Sequence, residues 1–223
     1  MNTRITAVTA PRIDRAVDSN ESSSFNKMTP EEYIIWAARV SSPENRLNHK
    51  TAPKLLNYLI TAGHWSPFEM VSIGVEIVTS RAIATQLLRH RSFSFQEFSQ
   101  RYAKVEAIED VELRYQATEN RQSSTDVCTE EWLEKEVTRH LNCSQDLYAM
   151  LLKEGIAKEC ARMVLPLATQ TTLIMHGTLR SWIHFLDQRC DGHAQKEAQE
   201  IAVDIRRQIA AEFPWLATAR DWI

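Results

Sequence analysis

Only five glycines punctuate the 223 residues (Gly63, Gly74, Gly155, Gly177 and Gly192), and no two fall within one loop's length. A phosphate-cradling loop of the G-x-G-x-x-G or Walker A kind needs clustered glycines for its tight turn and close backbone approach. The chain therefore cannot hold a dinucleotide on a Rossmann turn, and any phosphate must be held another way. Arginine is the group available for this, supplying 18 of the 26 basic residues, and its planar fork matches phosphate and carboxylate oxygens. Against 29 acidic residues the net charge is −3, which does not favour a polyanionic partner.

Hydrophobic residues at 43% and charged residues at 25% give enough apolar surface for a packed core and exclude wholesale disorder. No apolar run approaches the roughly 18 residues of a membrane span, and the N-terminus lacks the apolar stretch of a secretory leader, so no membrane partner and a cytoplasmic location are expected. The cysteines Cys128, Cys143, Cys160 and Cys190 form no C-x-x-C pair. Reduced thiols, with no metal site, are the expectation.

Periodicity divides the chain into alternating helices and strands. Residues 1–27 are polar, Ser-rich at Ser22–Ser24, with one β-like run at Ile5–Val8. Thr29-Pro30-Glu31-Glu32 reads as a capping box with proline at the first helical position, opening a helix that ends near Ser41. A second helix runs from Ala52 to Thr61, with Gly63 as its stop. Val71, Ile73, Val75 and Ile77 alternate with polar neighbours as a strand, and Ser80 caps a helix over Arg81–Arg89. Phe93 to Arg101 alternates again. Residues 103–128 read as an irregular excursion. Leu133, Val137, Leu141, Ser144, Leu147 and Leu151 stripe a helix running to Gly155. A short helix over Ala157–Val164, a β-prone Thr169–Met175, and helices over Thr178–Leu186 and Ala194–Ala211 follow, and Pro214 bars continuation. The expectation is one α+β domain over 1–223, a central antiparallel or mixed sheet with several long helices.

The densest chemistry is Arg89-His90-Arg91-Ser92-Phe93-Ser94-Phe95-Gln96-Glu97-Phe98-Ser99-Gln100-Arg101-Tyr102. Cations at a helix C-terminus can be simple dipole partners. Arginines interleaved with aromatics can also bind nucleic acid, which the acidic balance and the isolation of the patch argue against. A third reading is a nucleotide site, in which Glu97, Ser99 and Arg101 project from one face of an extended strand.

The third reading is supported by resemblance. Arg89-His90-Arg91, followed after seven residues by Ser99 and then Arg101, resembles the signature of flavin-dependent thymidylate synthases. Further segments resemble that family in order: Ala37-Ala38-Arg39-Val40-Ser41, Gly63-His64-Trp65-Ser66-Pro67-Phe68-Glu69, Arg162-Met163-Val164-Leu165-Pro166, Arg180-Ser181-Trp182-Ile183-His184-Phe185-Leu186-Asp187-Gln188-Arg189, and His193-Ala194-Gln195 with Glu197. The resemblance implies conversion of dUMP to dTMP in a homotetramer with sites between subunits. The carbon comes from 5,10-methylenetetrahydrofolate, and FAD reduced by NADPH relays it and supplies the hydride.

By the same resemblance Arg189 is the catalytic cation beside the pyrimidine, where fixed positive charge stabilises the ring anion. Gln86, Arg89, Glu97, Ser99, Gln100, Arg101, Arg162 and Arg189 are expected to hold dUMP. Ser41, Ser66, Glu69, Arg89, His90, Arg91, Gln96, Glu97, Thr178, Arg180 and His184 are expected to hold FAD, with His64 on the folate or nicotinamide side. The family commonly has asparagine where Gln96 and Thr178 stand. Helical spacing is expected to keep Arg180, His184 and Arg189 near one face. Ser99 has no adjacent base to activate it. Cys190 lacks the preceding proline of the classical cysteine-dependent synthases, so the expectation is catalysis without an enzyme nucleophile.

Overall fold

The computed structural model describes residues 1–13 and 27–222, so the serine-rich stretch at Ser22–Ser24 lies outside the described residues. Its strands are β1 (Asn2–Val8), β2 (Ser72–Ser80), β3 (Ser94–Glu97), β4 (Arg114–Gln116), β5 (Ser124–Val127) and β6 (Gln170–Thr178). The helices are α1 (Pro30–Ala38), α2 (Ala52–Thr61), α3 (Arg81–Leu87), α4 (Glu131–Lys153), α5 (Lys158–Ala161), α6 (Leu179–Arg189), α7 (Lys196–Glu212) and α8 (Pro214–Ala219). Four strands form an antiparallel sheet in the order β1-β2-β6-β3, and β4 pairs with β5 in a separate hairpin.

The central pair is continuous, from Ser72 opposite Thr178 to Ser80 opposite Gln170 without a shift. Side chains alternate across a pleated strand. Ile73, Val75, Ile77, Leu173 and Met175 are fully buried on one face, while Ile174 and His176 are exposed on the other. Each central strand runs straight into a helix capped by its own last residue. Ser80 Oγ accepts from the Ile83 N–H at 3.4 Å, and Thr178 Oγ1 accepts from the Ser181 N–H at 3.3 Å. Both helices fold back over the buried face, where Ile83 and Leu87 of α3 join Trp182, Ile183 and Phe185 of α6 in one core with Ile201 and Ile205 of α7. Trp182 is fully enclosed because its indole N–H donates to the Ile73 carbonyl at 3.0 Å, satisfying the one polar atom the ring carries.

The expected capping box is present. Thr29 Oγ1 accepts from the Glu32 N–H at 3.2 Å, and Glu32 Oε2 accepts from the Thr29 N–H at 2.7 Å. Gly63 and Gly155 take φ of +70° and +79° just beyond α2 and α4, a conformation that favours glycine. Other expectations are corrected. The N-terminal strand spans all of Asn2–Val8 because it pairs along β2. Residues 103–128 include the β4–β5 hairpin, which is anchored by Arg114 to Glu197 at the start of α7 (2.6 Å). Pro214 ends α7 but also opens α8.

The extended run from Phe93 stops at Glu97, after which the Ser99 carbonyl accepts from the N–H groups of both Tyr102 and Ala103. Glu97, Ser99 and Arg101 therefore do not lie along one strand. Among the described residues the edge strand β3 pairs only with β6, and that pairing runs out at Phe98, whose N–H reaches Thr172 O at 2.8 Å.

Two consequences for stability can be measured. A Cβ at Gly177 would lie 2.5 Å from Phe93 Cδ1, so Gly177→Ala should destabilise the fold by about 1–3 kcal/mol in denaturant titrations. Glu31 is buried while accepting from the N–H groups of Trp215 (3.1 Å) and Leu216 (2.7 Å) at the start of α8. Burial pushes its carboxyl up to about 7 from 4.5. The folded chain then holds a proton that the unfolded chain has released, so stability should fall as pH rises from about 4.5 to 7. Glu31→Gln should flatten that slope in thermal melts taken across the window.

Candidate active site

The central strands are antiparallel, so α3 and α6 start from opposite ends of the sheet and run toward each other. Their C-termini meet. Arg189, the last residue of α6, donates from Nε to His90 Nε2 at 3.0 Å and from Nη2 to the Gln86 carbonyl at 3.3 Å. His90 can accept only as neutral imidazole, and burial together with the nearby Arg189 charge lowers its pKa to about 4. Its ring stands edge-on to Phe185 (5.0 Å between centroids) and Phe93 (6.4 Å), which fixes the acceptor's direction. Burial and the neighbouring Arg89 charge lower the Arg189 pKa from its ordinary value, yet a guanidinium starts so high that it stays a cation at neutral pH. Arg89 and Arg91 flank this pair at the surface.

A second cluster surrounds a cavity of about 280 Å³ lined by Arg81, Gln100, Arg162, Pro166 and Thr169 among others. Two polar atoms here are buried without a hydrogen-bond partner, Gln100 Nε2 and Arg162 Nε. Both are N–H donors, so the cavity is short of acceptors, the arrangement a phosphate or sugar oxygen would complete. Beside it Glu97 Oε1 accepts from Arg81 Nη1 at 3.1 Å and Thr171 Oγ1 at 2.9 Å. Ser99 and Arg101 lie outside on the surface turn, where Arg101 pairs with Glu159 at 3.2 Å.

The third cluster lies along the first half of α6. Arg180 pairs with Glu69, and the His184 ring lies 4.4 Å from that of Trp65. Thr178 is occupied as the α6 cap, and Ser66 opens the turn that carries Glu69. His64 sits edge-on to Tyr58, exposed. Ser41 is exposed beyond α1, and Gln96 is exposed on the edge strand β3.

The expectation that Arg180, His184 and Arg189 share a face is wrong. Nine residues are two and a half turns, which places Arg189 half a turn round from Arg180. Arg180 and His184 therefore meet the 65–69 turn, while Arg189 meets the end of α3. Sequence reasoning also missed Arg81, Thr171 and Trp65. The available signal for Arg81 was a cation at the first position of a helix, where the macrodipole disfavours it.

Clustered guanidinium groups and buried donors without partners define a site for an anionic small molecule. Residues 25–215 match the family described as thymidylate synthase complementing protein. A protein of Paramecium bursaria Chlorella virus 1, named "Probable flavin-dependent thymidylate synthase", is 48% identical over 199 residues, spanning 87% of this chain and 92% of the viral one. The flavin-dependent thymidylate synthase of Synechocystis is 45% identical over 225 residues and the match spans 100% of both chains. In fold, the chain is similar to a UMP/dUMP methylase, PolB, from Streptomyces cacaoi, solved with 5-Br dUMP. The TM-score is 0.79 at 24% identity, covering 98% of this chain and 93% of that one. The chain belongs to the flavin-dependent thymidylate synthase family.

Burial raises the Cys190 thiol above its usual range, which disfavours the thiolate needed for nucleophilic attack. Cys190→Ala should retain at least about half of the turnover in a dUMP methylation assay. Its loss in a folded variant would instead point to covalent catalysis.

Proposed function

We propose that this chain methylates dUMP to dTMP reductively, with 5,10-methylenetetrahydrofolate as carbon donor and NADPH as reductant. FAD, when bound and reduced, supplies the methylene relay and the hydride. The observation that carries the reading is the fixed, half-buried Arg189 cation, aimed by a neutral His90 and the end of α3. A guanidinium so held needs no reorganisation to stabilise negative charge on the uracil ring, which makes C5 nucleophilic. Arg189 is the catalytic residue in this reading.

Gln86, Arg89, Glu97, Ser99, Gln100, Arg101 and Arg162 hold the nucleotide with it. The two buried donors left without partners at the cavity support that assignment. No enzyme nucleophile is needed, since Cys190 is kept as thiol and the only imidazole close to Ser99 in sequence, His90, is engaged by Arg189.

The donor set also fits a flavin dinucleotide. Arg89, Arg91 and Arg180 are exposed guanidinium groups suited to a diphosphate, and Trp65 with His184 offers ring faces beside them. Ser41, Ser66, Glu69, His90, Gln96, Glu97 and Thr178 complete the flavin contacts, with His64 toward the folate or nicotinamide. Glu69 and Thr178 would have to share their present partners Arg180 and Ser181 with it.

The assembly we propose is a homotetramer with sites between subunits. Of the 23 residues of α4 only Tyr148 is buried, while Trp132 is 61% and Met150 55% exposed. Met163 and Leu167, which line the cavity, are 78% and 69% exposed, leaving apolar surface for other copies to cover. Among the described residues no helix is long and apolar enough to cross a membrane. All four cysteines are free, in keeping with a cytoplasmic location.

Purified protein should carry a flavin absorption spectrum whose bands shift on adding dUMP. A colourless chain that FAD cannot reconstitute would overturn the reading. Arg189→Ala should lower kcat by at least about a hundredfold, the scale of losing one preorganised charge-stabilising group, while FAD stays bound. Light scattering should give four times the 25.7 kDa chain mass.

A further inference from the structure

Three neighbouring strands bring polar side chains to one point at an end of the sheet. Arg81 follows β2, Thr171 lies on β6 and Glu97 closes β3, with β6 between the other two. Both donors reach the same carboxylate oxygen, Glu97 Oε1, from Arg81 Nη1 at 3.1 Å and from Thr171 Oγ1 at 2.9 Å. Among the described residues Glu97 Oε2 takes no hydrogen bond. Two inter-strand spacings, roughly 9.5 Å, separate β2 from β3, so a long side chain is needed to span from one to the other.

Local helix electrostatics do not account for an arginine here. Arg81 is the first residue of α3, where the helix dipole disfavours a cation by about 0.3–1 kcal/mol. Arg81 also lines the cavity shared with Gln100 and Arg162, so it belongs to the same cluster while bonding Glu97.

We infer that Arg81 is a positioning residue of the nucleotide site, reaching across β6 to lock Glu97 so that the carboxylate's second oxygen meets a donor on the substrate. This rests on the reading above that Glu97 holds dUMP. A carboxylate only accepts, and the donors a deoxyuridine monophosphate offers are its ribose hydroxyl and the ring N3–H. With Oε1 held by two donors, Oε2 is the oxygen left to receive one of them. Without Arg81 the side chain, 20% exposed, keeps only the Thr171 hydroxyl as a donor and is less firmly held.

The test is calorimetric titration of dUMP into the FAD-loaded protein for Arg81→Met, Glu97→Gln, the double variant and Arg81→Lys. Arg81→Met should weaken dUMP about tenfold, the size of one charge-assisted hydrogen bond, in a variant that circular dichroism shows to be folded. The double variant should bind no worse than Glu97→Gln alone, because Arg81 acts only through that carboxylate. Arg81→Lys, which keeps the charge but loses the planar fork, should recover part of the affinity. If Arg81→Met does not fold, Arg81→Lys carries the test against the parent protein, with a severalfold loss expected. Losses that add in the double variant, or native affinity in the folded Arg81 variant when Glu97→Gln has lost it, would overturn the inference. Native affinity in Glu97→Gln would instead overturn the assignment of Glu97 to the nucleotide.

Discussion

Everything in this fold that could do chemistry depends on the unbroken pairing of β2 with β6. Nine residues of each strand stay in register, and each strand turns directly into a helix through a hydroxyl cap at its last position. The pairing is antiparallel, so the two strand–helix units are laid head to tail and the helix C-termini are driven together. Shifting the register by one residue would turn Leu173 and Met175 out of the core and would also separate Arg189 from His90. The stability of the sheet and the geometry of the site are therefore one constraint.

Burial then decides the charge states at that junction. His90 and Arg189 sit at comparable depth, but burial acts on them with different outcomes. It makes the imidazole a neutral acceptor, while the guanidinium, with a far higher starting pKa, keeps its proton and its charge. Cys190, one residue further on, is kept as an uncharged thiol by the same desolvation. A single half-buried patch thus holds an oriented cation, a lone pair that orients it and a thiol whose ionised form burial disfavours.

Much of this was legible in the sequence wherever the signal is local. The capping box at Thr29, the alternation at Val71–Ile77, the stops at Gly63 and Gly155 and the cap Ser80 are contained within a few residues each, and the structure forms them. What was not legible depends on distant partners. The β4–β5 hairpin has no strong apolar period because its strands are largely exposed, and its anchor is the ion pair of Arg114 with Glu197, 83 residues away. The strand from Phe93 looked longer because its alternation continues to Arg101, yet a strand extends only as far as it finds a neighbour. Arg189 was picked out by resemblance, but its contacts were not, since they lie across the core from its own helix. Arg81 escaped notice because its meaning comes from two strands that the sequence does not place beside it.

Arg189 is separated from His90 by 99 residues and from Gln86 by 103, and the strands beneath them are about as far apart in the chain. Contacts of such separation carry a loop-closure cost that must be met before they stabilise anything, and topologies rich in them fold slowly. A chain still emerging from the ribosome holds the whole of β2 and α3 long before β6 exists, so it presents one half of the central pair with its apolar side chains uncovered. Assembly of the Arg189–His90 junction is thus a late event in biosynthesis. Until residue 189 has been made and α6 has docked, Arg189 has neither His90 nor the Gln86 carbonyl to meet.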